Sequence, residues 1–176
     1  MSMKLIETKT LAVDTASISF TSIPQDATDL LVLLSLRSTP TVDPAGSYYV
    51  IAINGGGTSI STRYLQGTGT SVAASTLANF AGIASSNGGT SNTFSNDTIY
   101  LPNYTSSAAK SYYTDSVTEN IASGAYQTII NGLWNNTSAI TTMTFTASSG
   151  SFMTGSRISL YKITKGSDGI VTTTIS

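Results

Sequence analysis

Two stretches of this chain alternate with a period of two, and that pattern limits the fold more than any other feature. Between residues 140 and 147, Ile140, Thr142, Thr144 and Thr146 fall on one side, with Thr141, Met143, Phe145 and Ala147 on the other. Between 110 and 118, Tyr112, Thr114, Ser116 and Thr118 oppose Ser111, Tyr113, Asp115 and Val117. Side chains of a strand point alternately to opposite faces, whereas a helical face repeats roughly every 3.6 residues, so both stretches require extended chain.

Further segments read the same way. Strands are expected over Lys4–Val13, Thr15–Thr21, Asp29–Arg37, Ser47–Asn54, Ile60–Leu65, Asp97–Leu101, Ala125–Trp134 and Arg157–Ile163. The run Leu30-Leu31-Val32-Leu33-Leu34 predicts a strand buried on both faces. Gly55-Gly56-Gly57 reads as a turn joining Ser47–Asn54 to Ile60–Leu65 in a hairpin. Residues 67–89 carry few anchors, and Leu77–Ile83 suits either a strand or one helical turn. Pro24, Pro40, Pro44 and Pro102 all fall between strands, as a residue without an N–H must. About nine to eleven short strands with such punctuation predict an all-β, jelly-roll-like antiparallel sandwich. It occupies residues 1–165 as one domain, and 166–176 form a C-terminal tail.

Composition removes whole classes of chemistry. The chain of 176 residues has neither cysteine nor histidine. Disulfides, thiolate metal sites and the commonest general base are therefore excluded. Charged residues make up 10% and the formal net charge is −1, so the clustered cations that bind phosphate backbones are missing. Polarity comes from 28 Ser and 29 Thr instead. A charge-poor surface suits a protein packed within an assembly; the plainer reading is a stable secreted β-domain. Lys4 and Glu7 interrupt the start before an apolar region forms, so no signal peptide is expected. The longest apolar stretch, Leu30–Leu36, is far shorter than the ~20 residues of a membrane helix.

Candidate chemistry is sparse. Serine nucleophiles lack a histidine, which leaves Ser–Lys arrangements through Lys110 or Lys162 without a framing motif. The acids Asp26, Asp29, Asp43, Asp115, Glu119 and Asp168 are read as turn and cap residues rather than a glycosidase pair. Asn96-Asp97 and Asn54 beside Gly55 are possible places for Ca²⁺, but no Asp-rich calcium loop frames them. The matches to N-x-[ST] at Asn96, Asn103, Asn135 and Asn136 are expected by chance in so hydroxyl-rich a chain. Gly55-Gly56-Gly57 and Gly67-Thr68-Gly69 lack the lysine of a phosphate loop and read as β-turns. No cofactor, no metal site and no catalytic residue are expected.

The aromatic residues are more informative. Tyr48-Tyr49 and Tyr112-Tyr113 are adjacent pairs, so one member of each should face away from the core. An outward tyrosine packs into a subunit interface or stacks on a sugar ring. Trp134 is expected to anchor the core. In the tail, Ile170, Val171 and Ile175 would be exposed if it were free, which predicts that it pairs with a sheet edge, its own or a neighbour's.

Several strings resemble small virion proteins of tailed bacteriophages: Ala16-Ser17-Ile18-Ser19-Phe20-Thr21-Ser22-Ile23-Pro24 with Thr28-Asp29-Leu30-Leu31-Val32-Leu33, Ile99-Tyr100-Leu101-Pro102-Asn103-Tyr104, Asp115-Ser116-Val117-Thr118-Glu119-Asn120, Gly132-Leu133-Trp134 and Arg157-Ile158-Ser159-Leu160-Tyr161-Lys162-Ile163. The resemblance implies a β-sandwich on the virion surface. Such a protein is a capsid decoration (cement) protein or a fibre-associated, receptor-binding module. The partners it implies are the major capsid protein and further copies of this chain, with a homotrimer the expected state. It brings no catalytic residues.

Overall fold

The computed structural model describes residues 2–42, 47–57, 59–119 and 125–165. Among these are fourteen strands and no helix. In chain order they are β1 (Ser2–Thr10), β2 (Ser17–Phe20), β3 (Asp29–Ser35), β4 (Arg37–Ser38), β5 (Tyr48–Ile53), β6 (Ile60–Gly67), β7 (Val72–Thr76), β8 (Phe80–Ile83), β9 (Ser85–Ser86), β10 (Asn96–Leu101), β11 (Lys110–Thr118), β12 (Tyr126–Trp134), β13 (Met143–Ala147) and β14 (Arg157–Thr164).

They form an antiparallel sandwich of two unequal sheets. The larger has eight strands in the order β1-β14-β3-β10-β11-β12-β6-β7, and the smaller has four in the order β2-β13-β5-β8. A two-residue parallel ladder joins β4 to β9. Between the sheets lies the core, where Phe20, Leu30, Val32, Tyr49, Ile51, Phe145 and Trp134 are buried. A second cluster gathers Phe80, Ile83 and Ile130 with Tyr48, Tyr64 and Tyr126 under β8. Alternation does the sorting: in β11, β12 and β5 every second residue is buried, so a one-residue slip would turn the core outward.

Three expectations change. The strand count exceeds eleven, because the strands β4 and β9 are only two residues long and the uncertain 67–89 region supplies three strands, with Phe80–Ile83 extended rather than helical. Strands β5 and β6 are not a hairpin. Asn54 (φ 50°) and Gly55 (φ 76°) do make a tight turn, closed by reciprocal bonds between Ile53 and Gly56. The ladder stops there, because both edges of β5 are already paired with β13 and β8, and β6 crosses to the large sheet. Finally, β3 is not buried on both faces, since Leu33 reaches solvent on the face away from the small sheet. Pro44, Asp43 and the tail residues Asp168, Ile170, Val171 and Ile175 lie outside the described residues.

Candidate functional site

The large sheet is covered by the small one on one face only. On the other face, registers across all eight strands carry two continuous rows of side chains. One row runs Leu5, Tyr161, Leu31, Tyr100, Tyr113, Asn131, Arg63, Thr76. The next runs Thr8, Ser159, Leu33, Thr98, Asp115, Ile129, Leu65, Ala74. Leu33 (38%), Tyr113 (46%), Ile129 (48%), Leu65 (49%) and Leu133 (39%) are all substantially exposed, so apolar and aromatic groups share one open face. A half-solvated antiparallel sheet normally turns polar residues outward, so this concentration makes the face the candidate functional site.

The face is built rather than loose. Tyr100 donates its hydroxyl to Asp29 Oδ2 at 2.7 Å, and the Asn103 amide donates to Asp29 Oδ1 at 3.0 Å. Lys165 Nζ lies 3.0 Å from the same carboxylate. Burial pushes the Asp29 pKa up, but these donors outweigh it and hold the carboxyl below its ordinary value. So fixed, the Tyr100 ring meets Tyr113 with centroids 5.8 Å apart and planes tilted by 41°. Three shallow depressions indent the same side. One of about 600 Å³ is lined by Ser61, Arg63, Ser111, Asn131 and Leu133, with Tyr112 and Gly132 at its base. One of about 250 Å³ lies between Leu33, Asn96, Arg157 and Tyr161, and one of about 200 Å³ between Leu65, Val72, Gln127 and Ile129.

The tyrosine pairs divide as alternation requires, with one difference. Tyr112 is buried and Tyr113 faces out. Tyr49 is buried, but its neighbour Tyr48 is only half-exposed and packs edge-on against Phe80, 6.2 Å between centroids. Tyr48 and Tyr113 therefore serve different surroundings, and only Tyr113 belongs to the outer face. Each buried partner lies over a glycine. A Cβ on Gly132 would fall 2.1 Å from the Tyr112 ring, and one on Gly82 would fall 2.4 Å from the Tyr49 hydroxyl. Trp134 is buried as a core anchor.

Lys110, Lys162, Asn54 and Asp97, weighed for catalysis or metal binding, have structural partners. Lys110 Nζ donates to the carbonyls of Ser106 and Ser138, both at 2.6 Å, and sits 5.4 Å from the Trp134 ring centroid. Those bonds go to backbone oxygen, not to a serine hydroxyl. Lys162 Nζ pairs with Asp26 at 2.6 Å. Asn54 Oδ1 accepts from the amides of Thr141 and Thr142. Asp97 lies in the core rather than beside a surface loop. Among the described residues no group of three or more acids forms a metal cluster.

Two buried polar centres were not legible in the sequence. Asp97 Oδ2 accepts from Ser95 Oγ at 2.7 Å and Tyr49 Oη at 3.0 Å. Burial raises its pKa to about 7, against the opposing effect of bonds from Ser116, Ser95, Tyr49 and the Val117 backbone. Arg37, also buried, donates through Nη1 to the carbonyls of Thr90 and Thr93 at 2.8 and 2.9 Å. No spacing motif announces either, because Ser95 alone is a sequence neighbour of Asp97, while Tyr49 and the Arg37 partners Thr90 and Thr93 come from distant strands and loops.

Comparison with protein-family models, with curated proteins and with solved structures found no match to this chain. Fold and site together define a β-sandwich with one open, aromatic and aliphatic sheet face.

Proposed function

We propose that this protein is a non-enzymatic structural subunit that works by adhesion, packing the outer face of its large sheet against neighbouring subunits. The single observation that carries this reading is the outer-face group of Leu33, Tyr113, Ile129, Leu65 and Leu133, open on a sheet whose other face packs the core through β14, β3, β10, β11 and β12. Burying such a face stabilises an assembly by roughly 25 cal/mol per Å² of apolar area, before the costs of association. The resemblance to tailed-phage virion proteins supplies the setting: a capsid decoration protein that bridges coat subunits and resists the outward pressure of packaged DNA. Particles stripped of the protein should lose thermal and osmotic resistance and regain it on adding it back. Unchanged resistance would remove the cement role.

A second reading rests on the Tyr100–Tyr113 pair beside the Arg63 and Asn131 depression, where an aromatic plateau adjoins hydrogen-bonding groups. That combination also suits a sugar ring, as in a fibre-associated module that recognises host glycans. Glycan-array binding by the isolated protein, lost in Tyr113→Ala, would favour it over the cement role.

A further inference from the structure

The two edges of the large sheet are finished differently. At one edge, β1 carries Lys4, Glu7 and Lys9 and has a bulge between Leu5 and Glu7. Charges and bulges are the usual means of preventing an edge from accepting a foreign strand. At the other edge, β7 reads Val72-Ala73-Ala74-Ser75-Thr76, with no charge, no proline and no bulge in its pairing with β6. It is exposed at every position, and Val72 is 73% accessible. In the small sheet β2 is only four residues long, and β8 is covered by the large sheet, where Ile83 N donates to Ser116 Oγ at 3.0 Å. Among the described edges, β7 is the unguarded one.

The register states which backbone groups it offers. The hairpin from β6 turns at Thr68–Ser71, with Gly69 at φ 84° and a bond from Thr68 N to Ser71 O at 3.0 Å. Residues 68 and 71 thus form a hydrogen-bonded pair. Such pairs alternate along an antiparallel ladder, so Gly67–Val72, Leu65–Ala74 and Arg63–Thr76 are the non-bonded ones. The N–H and C=O groups of Val72, Ala74 and Thr76 therefore point away from β6, to the free edge.

We propose that this edge is a self-association seam, in which β7 pairs antiparallel with β7 of a second copy about a two-fold axis at Ala74. This register sets Ala74 against Ala74 and Val72 against Thr76, and it is the one that pairs all five residues of both strands. No like charges meet across it, and the small side chains permit close approach. It also keeps the outer faces of both copies on one side, so the Ile129–Leu65–Ala74 row continues from one sheet into the next. The chain's own tail is a poor alternative occupant. Residue 165 follows β14, six strand positions from β7, a span of about 29 Å. Residues 166–176 would spend most of an extended reach of about 36–40 Å on that crossing. The seam builds two-fold pairs, in contrast to the trimer that the phage resemblance implies, and it does not depend on the outer-face reading.

Sedimentation of the full chain over a concentration series is the test. The expected result is a concentration-dependent dimer. Ala74→Pro removes an N–H that faces the free edge, so it should weaken association by roughly thirtyfold while leaving the circular dichroism and melting temperature unchanged. Should Ala74→Pro melt early, Ala74→Lys decides instead, by setting two cations against each other at the axis. Ala74→Cys, in a chain with no other cysteine, should give a disulfide-linked dimer on mild oxidation, the paired Cα atoms being about 5.5 Å apart. Truncation after Lys165 should leave the dimer intact. A full chain that stays monomeric to its solubility limit would overturn the proposal. So would a dimer that survives both Ala74 variants, or one that disappears when the tail is removed.

Discussion

Tyr49 donates its hydroxyl to the Asp97 carboxylate at 3.0 Å, and neither side chain reaches solvent. The bond joins the small sheet to the large one through β5 and β10. It also makes one acid of the core responsive to pH. Because burial raises the folded-state pKa of Asp97 from 3.8 to about 7, the folded protein holds this proton more tightly than the unfolded chain. Between those values the folded state binds more protons, so its stability must fall as pH rises and level off above about 7. Chemical denaturation should show a protein more stable at about pH 5 than at about pH 8, by up to a few kcal/mol. Asp97→Asn should flatten that slope. A slope unchanged in the variant would remove Asp97 as its source.

Gly132 faces the ring of Tyr112 with no room for a Cβ. Tyr112 is packed on all sides, so it has little freedom to retreat. Gly132→Ala should cost about 1–3 kcal/mol, measured as a lower denaturation midpoint at unchanged slope. Combining it with Tyr112→Leu should recover part of the loss, because the clash and its relief involve the same pair.

Arg37 ties a loop to the end of the β3–β4 run through the carbonyls of Thr90 and Thr93, with Thr93 Oγ1 at 3.0 Å from the same nitrogen. Lysine cannot reproduce that planar fork. Both Arg37→Lys and Arg37→Met should destabilise, by about 1–3 kcal/mol, and amide exchange around Asn87–Thr93 should quicken more than in β11 or β12.

The outer face makes the opposite prediction. Tyr113, Ile129 and Leu65 are exposed and contribute little to the core, so Ile129→Ser or Leu65→Ser should change stability by no more than about 0.5 kcal/mol. Binding to the partner surface should nevertheless weaken by about tenfold or more for Tyr113→Ala, as loss of an interface aromatic does. Variants that unfold the protein would contradict the assignment of these side chains to an interface.

Alternation made much of this legible in advance. Strand β11 starts and ends where the sequence pattern places it, and Tyr112 and Tyr113 divide between core and outer face as a period of two demands. Pairing order was not legible, because local pattern carries no information about which strand lies beside which. Gly55-Gly56-Gly57 reads as a hairpin turn for that reason, but the pairing of β5 on both edges leaves β6 no place beside it. The outer face was hidden too. Leu31 and Leu33 read as one continuous buried run with Leu30, Val32 and Leu34, and only the packing of the small sheet against one face shows which of them lack cover. Asp97 depends on Tyr49 and Arg37 on Thr90 and Thr93, all far away in sequence.

The measurement that most directly tests the adhesive account is cryo-electron microscopy of intact particles that contain this chain. The account predicts density in which the outer face of the large sheet, at Tyr113, Ile129, Leu65 and Leu33, is buried against a neighbouring subunit on the head lattice. Density with that face open to solvent while other surfaces make the contacts would contradict it.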